Sequence, residues 1–124
     1  MDLSFEYKCE KIPTINHTYV KGKDCFFKKN EVVVYQRGLG VVAMIAVRRA
    51  KKSFFNKERL EVSLRFEVQN INRDLDNMIK ATLDSLQGIV FRNDKQVFKI
   101  QCEKVQSKEN YETLFVKIGE IKED

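Results

Sequence analysis

The stretch LEVSLRFEV, residues 60–68, is the clearest indication of a β-sheet in the chain. Apolar and polar residues alternate along it, and the apolar set is Leu60, Val62, Leu64, Phe66 and Val68. Because successive side chains of a strand point to opposite faces, this pattern indicates a β-strand with one buried face. It is the cleanest alternation in the chain, so the other elements are placed around a sheet that contains it.

Further strands are expected on both sides of this stretch. Residues 3–10 alternate in the same way, and strands are predicted near 95–104 and 111–119. The pleated surface of residues 60–68 could also supply a contact between two copies of the chain.

Two helices are expected between the strands. Residues 31–52 contain valines that favour strand and two glycines that weaken a helix, but their apolar residues repeat at helical spacing. A second helix is predicted from about Asp74 to Leu86, ended by Gly88. Its expected apolar stripe is Leu75, Ile79, Leu83 and Leu86. The order β-α-β-α-β-β predicts an α+β or α/β fold, with one mixed sheet of about four strands and two main helices packed on it.

Length and composition predict one globular domain over residues 1–124. The chain is 43% hydrophobic and 33% charged, which is typical of a folded cytoplasmic protein. No apolar run is expected to reach the roughly 20 residues of a membrane span, so no membrane partner is predicted. The three cysteines are far apart in the sequence, and we expect them to be reduced.

Charge is distributed unevenly and favours a polyanionic partner. The net charge is +5, and the first 52 residues carry 11 Lys and Arg against 5 Asp and Glu. Residues 12–30 form a long polar segment in which lysines and aromatic residues are interleaved. Its candidate DNA-contacting residues are Asn16, Tyr19, Lys21 and Lys23. The alternative is a solvated loop whose phenylalanines fill the core.

The segment NRDLDNMIK, residues 72–80, raises the question of function. Asp74 and Asp76 stand at a strand-to-helix junction, where one of them could simply cap the helix. Lys80 lies one helical turn after Asp76, and Asp94 precedes a later strand in a loop that could return to this helix start. Carboxylates with a cation among them suit Mg²⁺-assisted phosphodiester chemistry, but the same spacing permits a structural ion-pair network.

The sequence RDLDNMIKATLDSL followed by NDKQV resembles the RusA family of Holliday-junction resolvases. The resemblance extends over most of the chain and includes Pro13 and Asn16. It implies a Mg²⁺-dependent endonuclease, with Mn²⁺ expected to substitute, that cuts four-way DNA as a homodimer in DNA recombination and repair. It also implies a bacterial or phage protein that needs no small-molecule cofactor beyond the metal.

Site residues follow from the resemblance position by position. Asp74, Asp76 and Asp94 would bind the metal, and Lys80 would be the catalytic lysine. Family members often carry two adjacent acids before Gln-Val, whereas this chain has Asn93 at the first of those positions.

Residues around these positions are predicted to support them. Arg73 and Arg92 are expected to contact DNA, and Asp84 and Asn77 to support the metal ligands and Lys80. The alternative functions are a structure-selective DNA-binding module without catalysis and a general Mg²⁺-dependent DNA nuclease.

Overall fold

The computed structural model of the protein describes residues 3–13, 19–21, 26–28, 30–51 and 55–122. The elements are β1 (Leu3–Cys9), β2 (Tyr19–Lys21), β3 (Phe26–Lys28), α1 (Asn30–Arg49), β4 (Leu60–Val68), α2 (Leu75–Leu86), a 3-10 helix (Asp94–Gln96), β5 (Val97–Gln106) and β6 (Glu112–Glu120).

Four strands form one mixed sheet in the order β1-β6-β4-β5. The predicted architecture of a single mixed sheet with two main helices is therefore confirmed. Strand β4 lies inside the sheet, antiparallel to β6 and parallel to β5. Strands on both sides already use the backbone groups of β4. The suggestion that residues 60–68 supply a contact between copies stays a prediction, and it would involve the open face of this strand.

Both helices cover one face of this sheet. The five apolar residues of β4 are at most 2% exposed and share one core cluster with Leu39 of α1 and Met78 of α2. The opposite face carries exposed or half-exposed ion pairs, such as those of Arg65 with Glu67 and Glu103. The alternation seen in the sequence thus separates a helix-covered face from a charged open face.

Helix α1 contains two glycines, and each of them leaves space for a neighbouring side chain. A β-carbon at Gly38 would collide with the hydroxyl of Tyr7 on β1. Gly40 lies close to Ile89 for a similar reason. The predicted helix is confirmed over Asn30–Arg49, and the glycines that argued against it permit close packing.

Helix α1 is also long and apolar enough to cross a membrane, by length and composition only. The expectation that no apolar run approaches that length is wrong by this measure. Core helices of folded domains pass the same test, and α1 buries Val32, Tyr35, Leu39 and Ala43.

Helix α2 packs its predicted stripe against the core, and its buried face is wider than predicted. Leu86 is buried, and Leu75, Ile79 and Leu83 are half-buried and pack against the core cluster. The helix also buries Met78, Ala81, Thr82 and Ser85. Contact with α1 explains the wider face, because the hydroxyl groups of Tyr35 and Thr82 lie 2.8 Å apart and Ser85 Oγ donates to the Gln36 carbonyl at 2.8 Å.

Part of the long polar segment is structured. Strands β2 and β3 pair antiparallel, with Tyr19 opposite Lys28. The segment was expected to be a loop throughout, so this two-stranded pairing is a correction. The predicted filling of the core by Phe26 and Phe27 concerns side chains outside the described part of the chain.

We expect Phe66→Ala to lower the free energy of unfolding by about 3–5 kcal/mol, because it leaves a cavity in the centre of the core. The neighbouring change Arg65→Ala removes exposed ion pairs and a contact with the Phe115 ring, and should cost no more than about 1–2 kcal/mol. Urea unfolding followed by circular dichroism measures both. Equal losses would contradict the assignment of the two faces of β4.

Candidate active site

Asp74 stands at the N-cap position of α2 but does not cap it. Its backbone is extended, with φ −69° and ψ 123°, and no side-chain capping bond forms within the described residues. The carboxylate accepts one hydrogen bond, from Asn77 Nδ2 to Oδ2 at 3.2 Å. Asp76 follows in the first helical turn, and both aspartates are exposed. The capping interpretation therefore does not account for the Asp74 carboxylate.

Arg73 is held inside the protein by Glu112. The guanidinium donates to both carboxylate oxygens, at 2.5 Å from Nη1 and 2.6 Å from Nη2. Nη1 also donates to the Ile12 carbonyl at 2.9 Å. The predicted contact of Arg73 with DNA remains a prediction, and the structure gives this side chain an internal role.

Glu112 was missed by the sequence analysis. It is fully buried on β6 and accepts backbone hydrogen bonds from Ile12 and Gln69, each at 2.7 Å. Burial alone would raise the pKa of its carboxyl, but the hydrogen bonds from Arg73 and the two backbone amides outweigh burial and lower it. A sequence signal existed, because Glu112 shares strand parity with Leu114, Val116 and Ile118. An acid on the apolar face of a strand predicts a buried partner.

Lys104 fixes the backbone of Arg73 from β5. Its Nζ donates to the Arg73 carbonyl at 2.6 Å. Lys104 pairs in register with Phe66, towards the end of the parallel ladder that β5 forms with β4. The residue before Asp74 is therefore held by both its side chain and its carbonyl.

Lys80 is exposed on α2, one turn beyond Asp76. In the part of the chain that the structure describes, it makes no ion pair with Asp76 or with Asp84. The predicted support of Lys80 by Asp84 remains a prediction. Asn77, by contrast, does contact Asp74, as a supporting residue would.

Asp94 opens the 3-10 helix at the other end of α2. Its backbone N–H donates to Gln87 Oε1 at 2.8 Å, and Gln87 is the residue that ends α2. Asn93 caps this short helix: its side chain accepts from Lys95 N at 2.9 Å, and its own N–H donates to Gln96 Oε1 at 2.9 Å. The sequence departure at Asn93 thus supplies a capping box.

The acids are separated by the length of α2. With 12 residues, the helix spans about 18 Å between the Asp74 end and the Asp94 end. Among the described residues, no three His, Cys, Asp or Glu side chains are grouped closely enough to hold a metal ion. The expectation that the Asp94 loop returns to the start of α2 is wrong within one chain, because α2 runs back along the sheet before that loop begins.

The other candidate DNA-contacting residues are only partly described. Arg92 is exposed, and its Nη1 lies 3.4 Å from Asn56 Oδ1. Tyr19 and Lys21 lie on β2, where only the backbone is described, and Asn16 and Lys23 lie outside the described residues. Their contacts with DNA remain predictions.

The carboxylate of Glu112 should make stability depend on acid pH. Because its folded-state pKa is lowered from the ordinary value of 4.5, its contribution is fully present above that value. The contribution is lost as the pH falls through the lowered pKa. We therefore expect Glu112→Gln to be less stable than the unmodified protein at pH 7, and the difference to narrow below pH 4.5.

Urea unfolding at pH values from 7 to 3 measures this difference. The control Glu103→Gln removes an exposed carboxylate and should differ little from the unmodified protein across the range. A gap between Glu112→Gln and the unmodified protein that stays constant below pH 4.5 would contradict the role given to this carboxylate.

Comparison with known proteins identifies the family. The model of the family described as Endodeoxyribonuclease RusA matches residues 10–119, which include the acid pair, Lys80, Asp94 and Glu112. None of the curated proteins matches the chain. Enzymes of the matching family are metal-dependent endodeoxyribonucleases that act on branched DNA and resolve Holliday junctions. With the family match covering most of its length, the chain belongs to the RusA endodeoxyribonuclease family.

Proposed function

We propose that this protein is a Mg²⁺-dependent endonuclease that resolves four-way DNA junctions by paired, symmetric nicks, with Mn²⁺ able to replace Mg²⁺. The observation that carries the proposal is the Asp74 carboxylate, which stands at a helix N-terminus without capping it. An aspartate that contributed only to helix stability would bond the free amides of the first turn. In a metal-dependent nuclease family, metal binding is a use that suits this carboxylate.

Asp74 and Asp76 form one half of the proposed metal site. Carboxylate oxygens are the ligands that Mg²⁺ prefers, and it is usually held by one or two of them together with water and substrate phosphate. When bound, the metal would supply Lewis-acid activation of the scissile phosphate and of a water. Asn77 would orient Asp74 through the 3.2 Å bond between their side chains.

Lys80 would act on the substrate rather than on the acids. Its ammonium group is exposed on the same side of α2 as Asp76 and has no ion-pair partner in the described part of the chain. A cation in this position can stabilise negative charge that develops on the phosphate oxygens. Asp84, one turn further along, would hold Lys80 in place when DNA is bound.

Asp94 would complete the site of a second copy of the chain. Strand β5 is at the edge of the sheet and begins three residues after Asp94. Lys104, near its other end, bonds the carbonyl of the residue before Asp74. The two ends of β5 therefore lie beside the two halves of the acid set.

Pairing of two β5 strands would join those halves. Identical strands related by a two-fold axis pair antiparallel, so the start of one β5 meets the end of the other. Asp94 of each copy would then approach Asp74 and Asp76 of the partner, giving two equivalent sites. Phe98 and Ile100 support this surface, because both are apolar residues on β5 and are 63% and 39% exposed. Long edge strands with exposed apolar residues readily pair with another chain.

DNA affinity would come mainly from the basic N-terminal half of the chain. Lys21 and Lys23 would contact phosphates, Asn16 and Tyr19 would approach the junction centre, and Arg92 would lie beside Asp94. Part of the affinity is then independent of the metal. Such a protein, active in the cytoplasm of a bacterium, would bind junctions even when cleavage is blocked.

The alternative of a DNA-binding module without catalysis predicts that the aspartates form an ion-pair network with Arg73 and Lys80. Within the described residues, Arg73 pairs with Glu112 instead, and neither Asp74 nor Asp76 has a basic partner. A general DNA nuclease remains the second alternative. It would cut linear duplex as readily as a junction.

We expect Asp76→Asn and Asp94→Asn each to slow cleavage of a synthetic four-way junction by at least about 100-fold, the order found when one electrostatic contribution to a transition state is lost. Junction affinity should stay within about threefold, because phosphate contacts supply it. The assay compares Mg²⁺ with EDTA and includes linear duplex of the same sequence.

Glu6→Gln is the matched control, since it removes an exposed acid from β1, at the opposite edge of the sheet from β5. Metal-independent cleavage, or either Asp variant cutting at the unmodified rate, would refute the proposed function. Equal cutting of the linear duplex would favour the general nuclease.

Mixing the two inactive variants tests where Asp94 acts. In a mixed dimer with shared sites, one site keeps Asp74 and Asp76 from one copy and Asp94 from the other. We therefore expect an equimolar mixture of Asp76→Asn and Asp94→Asn to regain cleavage, as a nick in one strand of the junction. Sites built within single copies would each keep one altered acid, and the mixture would stay inactive.

The surface used in this mixture is tested in the same assay. Ile100→Asp should prevent both dimer formation and the recovery of nicking. Val41→Asp alters an exposed apolar residue on α1 and should leave both intact. Sedimentation measures the oligomeric state of each variant.

A further inference from the structure

A buried carboxylate, that of Glu112, restrains the backbone next to Asp74 and Asp76. The proposed chemistry does not use this carboxylate. Glu112 makes four hydrogen bonds of 2.5–2.7 Å: two with Arg73 and one each with the backbone amides of Ile12 and Gln69. These partners come from two segments of the chain, the residues after β1 and the connection between β4 and α2, and Glu112 itself begins β6. One side chain therefore joins the segments that meet at this edge of the sheet.

The contacts of Arg73 restrain the position of Asp74, the next residue. The planar fork of Arg73 meets both oxygens of Glu112, which fixes the orientation of the side chain as well as its distance. Its carbonyl is fixed separately by Lys104 at 2.6 Å. Asp74 is the next residue, and α2 begins immediately after it at Leu75. Little freedom remains in the backbone that carries the two aspartates.

Stability alone does not explain a buried ion pair in this place. Desolvation of both charges cancels much of their attraction, and apolar residues of similar volume often stabilise a protein as well or better. The pair instead fixes the orientation of the Arg73 guanidinium, since two parallel hydrogen bonds to one carboxylate permit a single arrangement. Metal ligands and catalytic groups need that kind of fixed geometry, because a displacement of about 1 Å can slow a reaction by roughly 100-fold.

We propose that Glu112 is a positioning residue, which holds Arg73 and thereby sets the placement of Asp74 and Asp76 for cleavage. This inference rests on the proposed function, and it gives Arg73 an internal role in place of a contact with DNA. Glu112 also bonds the amide of Ile12, which leads through Pro13 into the segment with the predicted DNA contacts. The same carboxylate thus connects the acid pair with the beginning of that segment.

Two variants test the proposal on the full-length protein with a synthetic four-way junction. Glu112→Gln keeps the shape of the side chain but cannot accept both arms of the fork. Arg73→Lys keeps the positive charge and loses the fork. For both we expect single-turnover cleavage to fall by roughly 100-fold, as for a displacement of about 1 Å. We also expect the Mg²⁺ concentration for half-maximal cleavage to rise and junction affinity to stay unchanged.

Tyr35→Phe is the matched control. It removes another buried hydrogen bond of α2, the one to Thr82, from the middle of the helix rather than from its start. All variants are compared at a temperature at which circular dichroism shows them folded. Tyr35→Phe should lower the unfolding temperature while leaving the cleavage rate and the Mg²⁺ midpoint unchanged.

The outcomes separate the two proposals. Failure of the unmodified protein to cut the junction refutes the proposed function itself. If the unmodified protein cuts and a folded Glu112→Gln matches its rate and Mg²⁺ midpoint, the positioning role is refuted. Arg73→Lys decides the matter should Glu112→Gln not fold. Unchanged cleavage with weakened, less salt-dependent junction binding in Arg73→Lys would instead make Arg73 a DNA contact and overturn the inference.

Discussion

The parallel pairing of β4 with β5 is the constraint on which the rest of the fold depends. Two neighbouring strands that run in the same direction need a long connection, because the chain must return to the end of the sheet where the first strand began. Helix α2 is that connection, and it leaves Asp74 after the end of β4 and Asp94 before the start of β5, at opposite ends of the two strands. In the same sheet, β5 is an edge strand and β6 lies on the far side of β4. The division of the acids therefore follows from the direction in which β4 and β5 run.

The elements were predictable from the sequence where local periodicity determines them. The alternation of residues 60–68 identified β4, and helical spacing outweighed Gly38 and Gly40 in α1. The contact of α2 with α1 was not predictable in the same way. Its polar residues Thr82 and Ser85 turn inward because α1 offers them a hydroxyl and a carbonyl. That contact depends on how two distant segments pack, which the apolar pattern of α2 alone does not reveal.

The candidate site shows the same division between local and long-range information. The motif around Asp74, Asp76 and Lys80 is continuous in the sequence, so its residues could be named in advance. Glu112 lies 39 positions after Arg73 and could be linked to it only through the sheet. Its position on the apolar face of β6 was visible as a pattern, but the partner was not. Asp94 could also be named from the motif, but its place relative to Asp74 depended on the length of α2.

The division of the acids between the two ends of α2 also bears on how such an enzyme could be controlled. A nuclease whose single chain lacks a complete set of ligands is harmless while it is dilute. If two copies must meet, the amount of active enzyme rises with the square of the amount of protein at low concentration. A cell that makes little of this chain would then keep its chromosome safe without an inhibitor, and a junction that binds two copies would itself assemble the enzyme that cuts it.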